Sequence, residues 1–439
     1  MPQTSMTTIL NNIYMPGANS VGHIVINEER IESTWPGLSD HPDAIDCHGA
    51  TALPGAIDIH VHFREPGMTH KGTIASESRA AVAGGVTSFV DMPNVRPASL
   101  TNESLAERMV IAERTSSANY GFWLGASAEN ASEIASADYS RVAGVKLFLG
   151  SSTGGLLVST DYDISRVLEA VPEGIVVSVH AEDNGIIDEC RRRIIDMYGP
   201  DPEVRFHSQI RPTAACVHAT ERILRLASRY NTRIHIAHVS TADELSLFSA
   251  GSPNEKRVTC EVSPHHLLWC DEDYATRGAR IKMNPSVKSR ADRDALRRAV
   301  TEGRIDVIAT DHAPHLSSEK KGGAMSAMSG APMVQFSYAA MTDMFGPAKA
   351  SLLMAENPAR LLGIEGRGII APGKYADIVL AQETAPYPVT DSDVISTCGW
   401  TPLAPESGNG SPLLLRTKIS TVAINGFPAK PQALRFNNR

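Results

Sequence analysis

The chain of 439 residues carries 41 basic and 49 acidic side chains, a formal charge of −8, and 42% of its residues are hydrophobic. This composition is typical of a globular protein and excludes collagen, coiled coils and disordered chains. The acidic balance disfavours a general nucleic-acid-binding protein, because such proteins present a basic face. The 15 histidines are many for a chain of this length and direct attention to metal or acid–base chemistry.

The sequence predicts neither a membrane helix nor a signal peptide. No stretch approaches the roughly 18 consecutive apolar residues that a membrane helix needs, and the start, MPQTSMTTIL, lacks the features of a signal peptide. Scattered cysteines without a CxxC motif are typical of free thiols in a reducing compartment, so we expect a cytoplasmic protein. They are Cys47, Cys190, Cys216, Cys260, Cys270 and Cys398.

The chain begins with about 50 residues of short apolar runs broken by turn residues, which predict short strands. Eight strand-like runs then alternate with helical stretches, at 56–62, 86–92, 120–126, 144–150, 174–180, 233–239, 257–263 and 305–312. Such alternation indicates right-handed βαβ units and a parallel sheet. Eight repeats predict an α/β fold of the (β/α)8 TIM-like barrel type. A doubly wound open sheet is the alternative, weakened because no GxGxxG turn follows the first run.

The sequence after the last of these runs returns to strand-like patterns. A loop rich in Gly, Met and Ser and two helical stretches are followed, from residue 366, by short β-like runs. Because both ends of the chain are β-rich, we predict that 1–53 and 366–439 form one small composite β-sandwich domain. The barrel would then comprise 54–365.

Two histidines close the first strand-like run. His60 and His62 lie two residues apart, so on a strand both side chains point to the same side. They can therefore face one metal ion at the carboxyl ends of the strands, where barrel enzymes keep their active sites. Taken alone, this HxH pattern fits two inward-facing polar side chains equally well.

Other candidate ligands fall near the ends of later runs. His180 ends the fifth run, His238 closes the sixth and Asp311 lies at the end of the eighth. Imidazole and carboxylate suit zinc or a similar divalent ion. Lys146, in the fourth run, would be a poor ligand as a cationic amine. Carboxylation by CO2 would make it an anionic oxygen ligand.

Several motifs resemble those of dihydroorotases in the amidohydrolase superfamily. The most specific is HVHFREPG at 60–67, and the resemblance extends over nearly the whole chain. Further matching stretches are KGTIASESRAAVAGGVTSFVDMPN at 71–94, GVKLFLG at 144–150, VHAED at 179–183, IAHVST at 236–241, CEVSPHHL at 260–267, KMNP at 282–285 and TDHAPH at 310–315. The resemblance implies a zinc-dependent cyclic amide hydrolase that interconverts dihydroorotate and N-carbamoyl-L-aspartate in pyrimidine biosynthesis.

The resemblance also implies a binuclear metal site. Two divalent ions, expected to be zinc, would be held by the candidate ligands above, with carboxylated Lys146 bridging them and Asp311 also moving the catalytic proton. Some bacterial dihydroorotases use Asp near this position, but the KLFLG context favours Lys146. The implied ligands are His60, His62 and Asp311 for one ion, His180 and His238 for the other, and Lys146 for both.

Four further residues match substrate contacts of that family. Arg64, Asn94 and His315 would hold the substrate carboxylate, and Asn284 would contact the pyrimidine ring. A guanidinium fork suits a carboxylate. Without the resemblance, Arg64 could be a surface arginine and Asn94 a turn residue.

Departures from the family pattern leave the substrate open. The KMNPSVKSR context of Asn284 is unusual, and Met333 and Val334 stand where a glycine-lined loop is common, which predicts a bulkier pocket wall. Another cyclic amidohydrolase, an allantoinase or a dihydropyrimidinase/hydantoinase, is the alternative. A non-catalytic homologue that assembles with aspartate transcarbamoylase is the second alternative, disfavoured because all six ligand positions are filled.

The resemblance further implies a small-molecule substrate, a homodimer and a possible association with aspartate transcarbamoylase, with no nucleic-acid or membrane partner. The remaining histidines have no required chemistry. We expect His265 and His266 to be structural or to support the ligands, and His207, His218 and His235 to lie on helix faces or in loops.

Overall fold

The computed structural model describes residues 7–150, 156–406, 410–426 and 429–437. The strands of this part are β1 Thr7–Met15, β2 Ser20–Asn27, β3 Arg30–Pro36, β4 Ile45–Asp46, β5 Thr51–Pro54, β6 Ala56–Val61, β7 Val86–Asp91, β8 Asn119–Phe122, β9 Leu124–Gly125, β10 Val145–Phe148, β11 Val176–His180, β12 Arg233–Ile236, β13 Val258–Val262, β14 Val307–Ile308, β15 Ile378–Pro388 and β16 Leu414–Ala423.

The helices lie mostly between barrel strands, and side-chain caps start several of them. Thr73, Thr101 and Ser289 each accept a hydrogen bond from the backbone N–H three residues on, which satisfies a donor that the helix leaves free. No helix in the described ranges has the length and apolarity needed to cross a membrane. The α-helices are α1 Ile74–Ala83, α2 Asn102–Thr115, α3 Ala131–Ser136, α4 Asp161–Ala170, α5 Asn184–Tyr198, α6 His207–Ile210, α7 Thr213–Ala227, α8 Pro264–Leu268, α9 Tyr274–Arg277, α10 Arg290–Glu302, α11 Ser337–Phe345, α12 Pro347–Ser351 and α13 Asn357–Leu362.

The barrel wall is a ring of parallel strands. In the described chain β6, β7 and β8 pair in order, and β9 to β14 pair in order, all in parallel. β8 and β9 are one strand interrupted at Trp123, and a parallel bridge between Val61 and His312 joins β6 to the residues after β14. Each of the eight predicted runs overlaps one of these strands, and the predicted barrel is confirmed, whereas the open sheet is wrong.

The two ends of the chain share a second sheet. Its strand order is β16-β15-β5-β1-β2-β3, with β4 paired to β1, in the part of the chain that the structure describes. β5 links the halves, because it pairs antiparallel with β15 and parallel with β1. A small β-domain built from both ends is therefore present. The division at residues 53/54 and 365/366 stays a prediction.

A buried ion pair connects two loops that carry site residues. Arg108 of α2 pairs with Asp91 at the end of β7, and both side chains are almost fully buried. Arg108 also donates to the carbonyl of Met92 at 3.1 Å and to Ser99, while Asp91 accepts the backbone N–H of Phe63 at 3.1 Å. The pair thereby fixes the segment after β6 against the segment after β7.

We expect Arg108→Met to lower the free energy of unfolding by about 3–5 kcal/mol, because it leaves the Asp91 carboxylate buried without its counter-charge. Thermal melting and urea unfolding measure the loss. Arg191→Met is the matched control: its partner Asp188 is 56% exposed, and exposed pairs contribute about 0–1 kcal/mol. Equal stability of the two variants would contradict the role assigned to the buried pair.

Candidate metal centre and substrate pocket

The carboxyl ends of the strands bring imidazoles around one carboxylate. Nε2 of His62 lies 3.0 Å from Oδ1 of Asp311, and Nε2 of His60 lies 3.4 Å from the same atom. His238 joins the group, since ligand atoms of His60, His238 and Asp311 all lie within 4.8 Å of one another. The HxH spacing therefore does place both rings on the inner side, beside Asp311, which is 249 positions from His62 in the sequence.

The hydrogen bonds of these rings show which nitrogens carry lone pairs. Nδ1 of His60 contacts the Glu261 carboxylate and must donate to it, and Nδ1 of His62 lies 2.7 Å from the amide oxygen of Asn94. Burial lowers the pKa of His62 to about 4, so this ring is neutral near pH 7. Its Nε2 lone pair then faces the Asp311 carboxylate, beside Nε2 of His60. Acceptors converging on one point fit a bound cation.

A second pair of imidazoles repeats the pattern. Nδ1 of His180 lies 2.9 Å from Nε2 of His238, while Nε2 of His180 lies 3.1 Å from the Glu182 carboxylate, which is paired with Arg211. Nδ1 of His238 is buried without a hydrogen-bond partner among the described atoms. The lone pair of His180 therefore faces another imidazole nitrogen, and these donors fit a second divalent ion.

Lys146 lies in β10 and its side chain is fully buried. Its Nζ donates to the hydroxyl of Ser178 at 3.3 Å. Burial lowers its pKa to about 8, although Glu261 and Asp311 act in the opposite direction. A substantial fraction of this amine is therefore neutral in mildly alkaline solution, the form that can react with CO2.

Three residues of the site have a strained backbone conformation. Arg64, His238 and Asp311 have positive φ angles of 69°, 39° and 48°. Residues other than glycine rarely adopt this left-handed conformation, and it persists where surrounding contacts enforce it. The strain lies where the chain leaves β6, β12 and β14 and turns the side chains inward.

The predicted carboxylate contacts lie beside the imidazole cluster. Nε of Arg64 donates to the carbonyl of Pro314 at 3.0 Å, and a terminal guanidinium nitrogen lies 3.1 Å from Nε2 of His315. Both side chains are almost fully buried. Burial lowers the pKa of Arg64 to about 10, so it remains a cation at neutral pH. With Asn94 held by His62, three of the four predicted substrate contacts lie together.

The fourth predicted substrate contact, Asn284, is held by a residue of another element. Its amide oxygen lies 3.1 Å from Nε2 of His207. Met333 and Val334 have fully buried side chains in the main core, and their backbone N–H groups donate to Nδ1 of His312. The predicted bulkier pocket wall is therefore wrong, because these side chains present no accessible surface.

Sequence reasoning missed the carboxylates behind the ligands. Glu261 contacts His60 and also His235, whose Nε2 lies 3.1 Å away, and Glu182 contacts His180. The expectation that His235 lies on a helix face or in a loop is wrong, since it lies in β12. An acidic residue inside an apolar strand was the available signal for Glu261. Nothing in the sequence indicated which histidine it would meet.

Two adjacent histidines lie outside the metal cluster. His266 is engaged by the hydroxyl of Ser263 at 2.9 Å and the carbonyl of Pro285 at 3.1 Å. His265 is fully buried, and neither ring nitrogen has a hydrogen-bond partner in the described structure. Burial lowers their pKa values to about 3 for His265 and about 4 for His266.

Comparison with known proteins identifies the family. Residues 51–400 match the model of the amidohydrolase family. A dihydroorotase of Halobacterium salinarum is 35% identical over 391 residues, covering 87% of this chain and 89% of the relative. A dihydroorotase of Methanosarcina acetivorans is 32% identical over 380 residues, covering 83% of this chain and 80% of the relative.

Solved structures show the same fold at lower identity. An L-hydantoinase (dihydropyrimidinase) from Arthrobacter aurescens superposes with a TM-score of 0.85 at 22% identity, covering 98% of this chain and all of that one. A dihydropyrimidinase from Brevibacillus agri gives a TM-score of 0.84 at 22% identity, covering 99% and 97% of the two chains.

We expect the metal-free protein to lose stability as the pH falls from about 6.5 towards 4. Buried His62, His265 and His266 have pKa values of about 4, 3 and 4, below the ordinary 6.5. Between about pH 6.5 and 4 the unfolded chain therefore binds more protons than the folded chain, so the free energy of unfolding decreases as the pH is lowered. His265→Leu should reduce the slope of the free energy of unfolding against pH by up to about 1.4 kcal/mol per pH unit, so the melting temperature should change less with pH.

His41→Leu is the control for this measurement, because its side chain is exposed. Its effect on the pH dependence should be smaller than that of His265→Leu. A wild-type melting temperature that stays constant across the window, or an unchanged slope in His265→Leu, would contradict the prediction.

Proposed function

Because the chain belongs to the amidohydrolase family, we propose that it is a dihydroorotase. The reaction is the reversible hydrolysis of the cyclic amide of (S)-dihydroorotate to N-carbamoyl-L-aspartate, a step of pyrimidine synthesis. Relatives of that name, 35% and 32% identical, support the proposal. The observation that carries it is the buried Arg64–His315 pair beside the imidazole cluster.

The substrate carboxylate separates this reaction from related ones. Dihydroorotate carries a carboxylate next to the ring, whereas hydantoin, dihydrouracil and allantoin do not. A buried guanidinium is costly unless an anion or hydrogen-bond acceptors offset its desolvation. Arg64 has the carbonyl of Pro314 as one acceptor, and its fork suits a carboxylate as another. Asn94 and His315 would complete the carboxylate contacts.

The imidazole cluster would hold two divalent ions, for which zinc is proposed. His60, His62 and Asp311 would bind one ion, and His180 and His238 the other. Lys146 would bind both after its neutral amine adds to CO2 and loses a proton, forming a carbamate. Two such ions lower the pKa of a water molecule and polarise the amide carbonyl.

Side chains of the protein would transfer the proton and orient the substrate. Asp311 would accept a proton from the attacking water and deliver it to the ring nitrogen as the amide C–N bond breaks. Arg64, Asn94 and His315 would orient the ring through its carboxylate, and Asn284 would contact the ring itself. Holding the reacting groups in the correct relative orientation accounts for a large share of the rate enhancement by enzymes.

A hydantoinase or dihydropyrimidinase is the second candidate, because solved structures with those names, at 22% identity, share the fold of this chain. A non-catalytic homologue is disfavoured because every predicted ligand position is occupied by a suitable side chain. The cytoplasmic location, homodimer and association with aspartate transcarbamoylase implied by the resemblance stay predictions.

A side-by-side assay of dihydroorotate, dihydrouracil, hydantoin and allantoin tests the proposal. We expect turnover of dihydroorotate and little of the others. Arg64→Met should raise KM for dihydroorotate about tenfold to a hundredfold, because a charge-assisted hydrogen bond is lost. Arg191→Met, whose partner Asp188 in α5 is 56% exposed, is the control. Faster turnover of hydantoin than of dihydroorotate by the wild type would refute the assignment.

Metal analysis of protein purified without chelator in CO2-equilibrated buffer should find two divalent ions per chain. Lys146→Gln should bind fewer ions, because an amide cannot form the carbamate. Lys418→Gln, at an exposed position of β16, should retain both. Fewer than one ion per wild-type chain would contradict the binuclear site.

A further inference from the structure

Lys71 lies beside the predicted carboxylate pocket, in the segment between β6 and α1. Its Nζ is 3.1 Å from Nδ1 of His315 and 2.8 Å from Oε1 of Glu319. The side chain is only 9% exposed, so the ammonium group is largely removed from water. This lysine belongs neither to the proposed metal ligands nor to the proposed substrate contacts.

His315 lies between two groups that only donate hydrogen bonds: Nζ of Lys71 is 3.1 Å from Nδ1, and a terminal nitrogen of Arg64 is 3.1 Å from Nε2. A neutral ring accepts at one nitrogen only, so its tautomer is set by which of the two contacts is kept. When Arg64 donates to a bound carboxylate instead, Nδ1 accepts from Lys71 and the ring hydrogen lies on Nε2. Arg64 and His315 then present two N–H donors to the same carboxylate, an arrangement that suits this anion.

The charges around His315 favour an anion as well. Burial lowers the pKa of the His315 imidazole far below its ordinary value, and the cations Arg64, Lys320 and Lys71 act in the same direction. The ring is therefore neutral. Of these cations, Lys71 is the one paired with a carboxylate, Glu319.

The neighbouring loop keeps this arrangement in place. Nζ of Lys320 donates to the carbonyls of Lys282, Met328 and Gly330 at 3.1, 2.6 and 2.7 Å. The backbone N–H of Leu316 donates to Glu319 at 2.8 Å. Glu319 is thereby held where it can orient the Lys71 ammonium group towards His315.

We propose that Lys71 is a positioning residue for carboxylate recognition: it holds His315 in the tautomer whose Nε2–H, together with Arg64, binds the carboxylate of the substrate. The inference rests on the proposed function, because the carboxylate belongs to dihydroorotate. It assigns to Lys71 an indirect part in substrate specificity, exerted through the ring of His315.

Lys71→Met, Lys71→Arg and the control Lys321→Met test the inference in the full-length metal-loaded protein. Lys321 is exposed and two residues from Glu319, so its loss removes a nearby cation but not the contact. We expect Lys71→Met to raise KM for dihydroorotate about tenfold to a hundredfold with little change in kcat. Lys71→Arg, which also only donates, should recover most of the affinity, and Lys321→Met should match the wild type.

Nitrogen-15 NMR of the histidine rings gives a readout that a purely structural role would not move. The His315 signals are identified by their loss in His315→Asn. With orotate bound, we expect an unprotonated Nδ1 and a protonated Nε2 in the wild type and in Lys71→Arg, and a changed tautomer population in Lys71→Met. An unchanged tautomer, or a fall in kcat with KM unaltered, would overturn the inference.

Binding of orotate and of uracil, which lacks the carboxylate, separates this inference from the proposed function. A wild type that turns over dihydroorotate while Lys71→Met retains its KM refutes the inference alone. A wild type without dihydroorotate turnover refutes the proposed function. In that case a preference for orotate over uracil that Lys71→Met abolishes still supports the inference, and equal binding of the two by the wild type overturns it.

Discussion

The convergence of imidazole lone pairs on the Asp311 carboxylate is the constraint on which the rest of the site depends. Without a cation these acceptors repel, so the fold must hold them together by other means. Closure of the barrel helps to hold these side chains together, since the backbone N–H of His62 donates to the carbonyl of His312 at 2.8 Å. The buried carboxylate of Glu261 also helps, because it contacts Nδ1 of His60 and orients the ring.

Two opposite arrangements therefore lie side by side at one rim of the barrel. Acceptors converge at Asp311, where they suit cations, and the buried guanidinium of Arg64 lies beside His315, where it suits an anion. A substrate with a hydrolysable amide next to a carboxylate matches both at once. The net charge of −8 has no bearing on this match, because the local field is set by a few buried groups.

The elements that sequence reasoning predicted share one property: they depend on short-range patterns. Alternating apolar runs indicated the barrel strands, and the two-residue spacing of His60 and His62 placed both rings on one side. The contacts that it missed join distant parts of the chain. Glu261 meets His60 across 201 positions, and Lys71 meets His315 across 244. Such pairings depend on the register and closure of the barrel, which no local pattern encodes.

The sequence by itself determined the order of strands and helices, the polar residues at the strand ends and the resemblance to one family, because periodicity and motif spacing are local properties. Tertiary structure alone decided which groups lie against the ring nitrogens of His60 and His180, which carboxylates lie behind the ligands, and that Met333 is buried in the core. The reason is physical: protonation and burial depend on neighbours that the closed barrel brings within about 3 Å, the range of a hydrogen bond.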